Sequence, residues 1–237
     1  MTERGAITAL VVRVARRIKG DDSFDIDPAL SFGDLVGFLF RRFVMAARGL
    51  VLSLRTGSLV FPVFVGRGVR VTGARHLKLA PGVTIDDYCR LDCTGRTGIV
   101  LGRSTTLRRG TQIEVTSVMR ELGAGITVGD RVGISEGCFI AAKGPVSIGA
   151  DTIIGPGVRI IAENHIFQSR DATIRTQGVS RHGIDIGTDC WLGAGVTILD
   201  DVRIGAGSVI GAGAVVIQSI PELSMAVGVP ARVLRTR

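Results

Sequence analysis

The sequence predicts an all-β solenoid of about six coils behind an N-terminal helical segment, and three observations carry that prediction. From Leu79 onward an aliphatic residue returns every six positions. Extra residues enter the series only after three such hexads are complete. Aromatics are scarce, with one Trp and one Tyr against 33 Gly, and a core of small and β-branched side chains suits thin stacked strands better than a thick globular interior.

Taken in order, the chain divides into a basic amphipathic helical segment (1–57), a β-solenoid (58–220) and a C-terminal tail (221–237). Within the first, Ile7, Leu10, Val11, Val14 and Ile18 have helical spacing, with Arg13, Arg16, Arg17 and Lys19 between them. Residues 21–28 read as an acidic linker. Ser31-Phe32-Gly33-Asp34 then resembles a capping box, opening a second helix that runs to about Arg55 and stops near Gly57. Along it Asp34, Arg41, Arg48 and Arg55 recur every seven residues, while apolar side chains cover most of the remaining surface. A helix of that kind should bury nearly its whole girth. It should cap the open end of the rod, where strand edges would be unpaired, or lie on an anionic membrane surface, and both can hold together.

The aliphatic positions fall in threes: Leu79, Ile85, Leu91; Leu101, Leu107, Ile113; Val128, Ile134, Ile140; Ile148, Ile154, Ile160; Ile186, Leu192, Ile198; Ile204, Ile210, Val216. If three hexads make one turn of a triangular prism, every insertion leaves from the same edge, and six turns stand about 29 Å tall at strand spacing. Glycine follows the aliphatic residue in eight hexads, which suggests a turn requiring positive φ. Four residues after it the side chain is small or β-branched. Cys89, Cys138 and Cys190 occupy that position as core filler, and Cys89 and Cys93 lack zinc-ligand spacing.

Composition narrows the function. Four cysteines form no disulfide framework, so reduced thiols in the cytoplasm are expected. Glu3 and the arginines at 13, 16 and 17 argue against a signal peptide, and no stretch has the make-up of a membrane span. Net charge is +8 at pH 7, and residues 35–85 carry eight basic side chains and no acid, which accounts for the whole excess. The expected partner of that segment is an anionic membrane, contacted peripherally through residues 35–78. Nucleic acid is not expected, because the basic segment holds no recognition motif.

The longest insertion, residues 160–186, carries the candidate chemistry. It opens with Glu163-Asn164-His165, and His165 falls at the corner where the loop departs. A neutral imidazole there is suited to general-base work, its pKa lying near working pH. Glu163, Asp171 or a main-chain carbonyl could hold its other nitrogen. His76 and His182 read as surface histidines.

The hexads, Glu163-Asn164-His165, Gln177-Gly178, the run from Trp191 through Val196 and the tail Gly228-Val229-Pro230-Ala231 together resemble the hexapeptide-repeat acyltransferases, in particular the galactoside, maltose and polysaccharide O-acetyltransferases. That resemblance implies a left-handed parallel β-helix, a homotrimer, and direct acetyl transfer from acetyl-coenzyme A to a sugar hydroxyl of a surface polysaccharide or glycolipid precursor. His165 would be the base, with no metal and no covalent acyl-enzyme. It further implies coenzyme in the groove between rods. Trp191 and Gly193 would lie beside its acyl end and the Ala194 N–H at the oxyanion. Gly211 and Ala212 would lie along the pantetheine arm, and Arg232 or Arg235 at the phosphates. Two positions depart from the family pattern. Gln218 stands where relatives often carry Lys, and Ser135-Glu136-Gly137 where they often place an asparagine near the acceptor. Two other readings compete: a non-catalytic scaffold, and a carbonic-anhydrase-type hydratase. The latter needs three histidines on one zinc, and His165 is the only histidine in a hexad.

Overall fold

The computed structural model describes residues 3–19, 22, 23, 25–116, 118 and 120–237, with side chains of residues 3–7, 18 and 19 left aside. Asp21 of the predicted linker, and the side chains of Ile7, Ile18 and Lys19, therefore lie outside the described residues. Two helices, α1 (Glu3–Lys19) and α2 (Phe32–Thr56), precede a prism of three parallel sheets. Face one runs from Phe64–Val65 up to Val209–Ile210, face two from Arg70–Thr72 to Val215–Val216, and face three from Leu77–Leu79 to Val202–Ile204. Successive strands of a face are about 20 residues apart or more, so each pairing joins one coil to the next.

The hexad residues form the core. Seventeen of the eighteen are buried, and Leu79 packs against them at the edge. In the small-residue positions Thr105, Thr152 and Ser208 are buried too, each hydroxyl donating to a carbonyl of the coil above (Gly129, Gly187 and Pro221), so these polar groups cost little. Every insertion leaves between a strand of face two and the next of face three: residues 73–76, 93–97, 115–124, 142–144 and 162–183 share one edge.

Three expectations need correction. The sixfold series starts before Leu79, because Val65 pairs with Ile85 and Val71 with Leu91; the eight-residue step from Val71 to Leu79 hides that coil in the sequence. Glycine after the aliphatic residue is not a positive-φ requirement, since none of those eight has a positive φ. A Cβ at Gly149 would lie 2.5 Å from the backbone of Gly187, and one at Gly193 2.5 Å from Ala212 N, so the close stacking of coils selects glycine there. Positive φ falls two residues later, at Gly195 and Gly213 but also at Asp151 and Asp189.

The third correction concerns α2. Ser31 caps it by accepting the Asp34 N–H at 3.1 Å, and Gly57 ends it at φ +81°. The helix closes the first coil: Leu52 joins the core with Val63 and Val65, the buried Ser53 hydroxyl donates to Val60 O, and Arg42 lies 3.6 Å over the Phe64 ring. Yet only Leu35, Met45, Gly49, Leu52 and Ser53 are buried, and the opposite face stays exposed. A helix laid across the end of a rod meets the chain on one side only. At the other end Ser224–Val227 extends face one in parallel, and Arg232–Thr236 folds back on it antiparallel. Among the described residues no helix is long and apolar enough to cross a membrane.

Candidate active site

The loop of residues 162–183 leaves the prism as a two-stranded ribbon. Asn164 and His165 pair antiparallel with Ser180 and Val179. Its tip carries a single turn, α3 (Ile174–Gln177), closed by Gly178 at φ +87° and ψ −158°, a conformation open essentially to glycine alone. The Gln177 amide organises the tip, accepting from Ser169 N and donating to Ser169 O and Ala172 O, all at 3.0 Å. At the return, buried Asp200 accepts the N–H groups of His182 at 3.0 Å and Gly183 at 2.7 Å. Gln177 and Asp200 had no assigned role in the sequence reading. Only the Gln-Gly pair signalled this geometry, and Asp200 lies outside the motif stretches.

His165 is exposed at the root of the ribbon, and among the described residues its ring makes no hydrogen bond. Glu163 does not orient it. Its Oε2 accepts from Arg181 Nε at 2.7 Å, and Arg181 also approaches Glu121 at 3.5 Å. This ion-pair chain ties the return of the loop to its start and to the insertion two turns below. Asp171 lies exposed in the loop and has no described contact with the imidazole. Among the described residues no group holds the second nitrogen of His165.

The predicted coenzyme residues Trp191, Gly193, Ala194, Gly211 and Ala212 gather on a different edge. Trp191 projects from face one and is 54% exposed. Gly193 and Ala194 form the corner between faces one and two, with Gly211 and Ala212 stacked one coil above. The Ala194 carbonyl accepts from Gly213 N, but its N–H donates to no described group, which leaves a free backbone donor at the surface. Arg232 and Arg235 are exposed on the terminal strand, whereas Gln218 is exposed between Val215–Val216 of face two and Ile220, which bridges to Ile204 of face three, and so lies on the edge of the histidine loop, two coils above it. The whole of face two, through Arg159–Ile161 and Thr197–Leu199, separates this corner from the one that holds His165. Within a single chain the histidine and the coenzyme residues do not meet.

The Bacterial transferase hexapeptide (six repeats) family model matches residues 183–218, the coils directly above the loop. Over that stretch the repeats are similar to those of the bacterial hexapeptide transferases. A provisionally named acetyltransferase of Schizosaccharomyces pombe is 34% identical over 116 residues, covering 48% of this chain and 55% of that protein. A protein of Escherichia coli K12 provisionally named a lipopolysaccharide biosynthesis O-acetyl transferase is 36% identical over 115 residues, covering 45% and 58% respectively. The chain spans a little over half the length of these two curated relatives. Among solved structures, a hexapeptide-repeat-containing acetyltransferase of Vibrio cholerae O1 biovar eltor, complexed with acetyl-coenzyme A, aligns with a TM-score of 0.51 and 29% identity, over 57% of this chain and 69% of that one. The prism of this hexapeptide-repeat chain is a left-handed parallel β-helix. Among its described residues no three His, Cys, Asp or Glu side chains are grouped to hold a metal ion.

Proposed function

We propose that the protein is an acyl-coenzyme A-dependent O-acetyltransferase acting on a sugar hydroxyl of a surface polysaccharide or glycolipid precursor. The observation that carries this reading is the pairing of two unencumbered groups of the right chemistry, the exposed His165 imidazole and the free Ala194 N–H, on two edges of a hexapeptide prism. The named activities of the relatives and the acetyl-coenzyme A of the Vibrio structure support the donor.

In this reading three rods pack side by side, so that His165 of one protomer faces the Trp191 and Ala194 corner of the next. The imidazole takes the proton of the acceptor hydroxyl as its oxygen attacks the thioester carbonyl. Ala194 N–H donates to the tetrahedral oxyanion. Collapse expels the coenzyme A thiolate, which recovers the proton from the imidazolium, so ester and free thiol form with no acyl-enzyme. Trp191 walls the acyl end, the small corner Gly211-Ala212 admits the pantetheine arm, and Arg232 or Arg235 meets phosphate. Asn164 holds the ribbon that aims the histidine, and Glu163 contributes through Arg181 by fixing the loop root.

The test is thiol release from acetyl-coenzyme A across a panel of sugars and glycans, with the acetylated hydroxyl mapped. His165→Ala should lower kcat/KM by about 10²–10⁴-fold while leaving coenzyme binding unchanged. Full activity in that variant would remove His165 as the base, and no thiol release with any acceptor would return the protein to the scaffold reading.

A further inference from the structure

The outer side of α2 has no role in closing the prism. Val36, Phe40, Phe43, Leu50, Val51 and Leu54 line it opposite the buried stripe, and at helical periodicity they fall within about 100° of one face. Phe40, Phe43 and Leu54 are 68%, 72% and 66% exposed. Leu59 and Phe61 continue the apolar surface beyond the cap, at 72% and 65%. An exposed patch of this size marks an interaction surface.

Charge identifies the occupant. Of the eight basic side chains in residues 35–85, only Arg41 is in ion-pair contact with a carboxylate among the described residues, meeting Asp86 at 2.9 Å. Arg48 and Arg55 lie exposed along the edge of the apolar face, and Arg67, Arg70, Arg75 and Lys78 are exposed on the first coil beneath it. Asp86 and Asp87 lie beside Arg41, and the other acids of this region, Asp25, Asp27 and Asp34, precede α2 or stand in its first turn. A second copy of this face would bring two arginine-edged surfaces together with no acid between them. An anionic lipid surface satisfies both halves of the pattern, acyl chains for the aromatics and phosphates for the guanidinium groups.

We infer that α2 is a membrane-surface element that lies in the headgroup plane of an anionic bilayer with Phe40, Phe43 and Leu54 in the acyl boundary. Because α2 closes the end of the prism, the rod stands away from the lipid with its axis near the bilayer normal. In the trimer proposed above, three such faces share one end and bind together. The inference does not depend on the transfer chemistry.

The full chain is tested by co-sedimentation with vesicles of phosphatidylcholine alone and of phosphatidylcholine mixed with phosphatidylglycerol. Binding is expected to the mixed vesicles, to weaken as salt rises, and to fall about tenfold or more in the Phe40→Asp/Phe43→Asp double variant. Arg48→Glu should weaken only the phosphatidylglycerol-dependent part. Neither variant should change thiol release or the lipid-free oligomeric state. Equal vesicle binding by the double variant overturns the inference, as does indifference to phosphatidylglycerol. A lipid-free change of assembly state in the double variant would make the face a protein interface instead, and tight binding of duplex DNA at the same salt would give the basic surface to a nucleic acid.

Discussion

At the residue scale, two kinds of buried polar group matter. Asp200 satisfies two backbone donors at the return of the 162–183 loop, so Asp200→Ala leaves them without a partner. It should destabilise the fold by about 1–3 kcal/mol in urea unfolding and raise the rate of proteolytic nicking between residues 166 and 183. The thiols form the second kind. Burial pushes Cys89 up to about 11 and Cys93 up to about 12, and it raises Cys138 and Cys190 as well. All four should resist a thiol reagent at pH 8 in the folded protein and react in denaturant. A raised folded value means the native state holds the proton more tightly. Its contribution to stability is therefore full below the unfolded thiol value of about 8.5 and is lost as pH climbs through 11 and 12. The midpoint of urea unfolding should fall across that alkaline range.

At the scale of elements, two glycines of α2 give opposite predictions. A Cβ at Gly49 would come 1.8 Å from Val63 O, so Gly49→Ala must lift the helix from the first coil. A loss of about 2–4 kcal/mol is expected, read by denaturant unfolding. Gly37 has nothing within 4 Å of an added Cβ and sits in an exposed helical turn, so Gly37→Ala should stabilise by about 0.5–1 kcal/mol. The heptad of arginines was visible in the sequence, and so was the cap at Ser31. What the sequence overstated was the burial of the helix, because composition counts apolar side chains without saying how many sides a neighbour covers.

At the scale of the whole molecule, an entire face separates His165 from Ala194 and Ala212, so under the proposed transfer reading activity would be a property of the assembly. Mixing subunits of two inactive variants, His165→Ala and Ala212→Glu, should restore activity at about one quarter of interfaces, those that pair an intact histidine edge with an intact coenzyme edge. If both edges of a site belonged to one chain, mixing would restore nothing, and a protein that sediments as a monomer while active would sink the model.

The sequence by itself determined the prism. A six-residue aliphatic period admits few other ways of stacking strands, and insertions confined to every third hexad mark a single edge. It also singled out His165, because the one histidine in a hexad stands where the rhythm breaks. The surroundings of that histidine came from packing between coils. Glu163 turned to Arg181 and Asp200 closed the loop from beyond the motif, since such pairings join residues from different coils that local spacing does not relate. That packing decided too why glycine follows the aliphatic residue, which depends on the distance to the coil above and leaves no trace in the backbone preference of one residue. Period belongs to the chain, whereas contact across coils belongs to the fold.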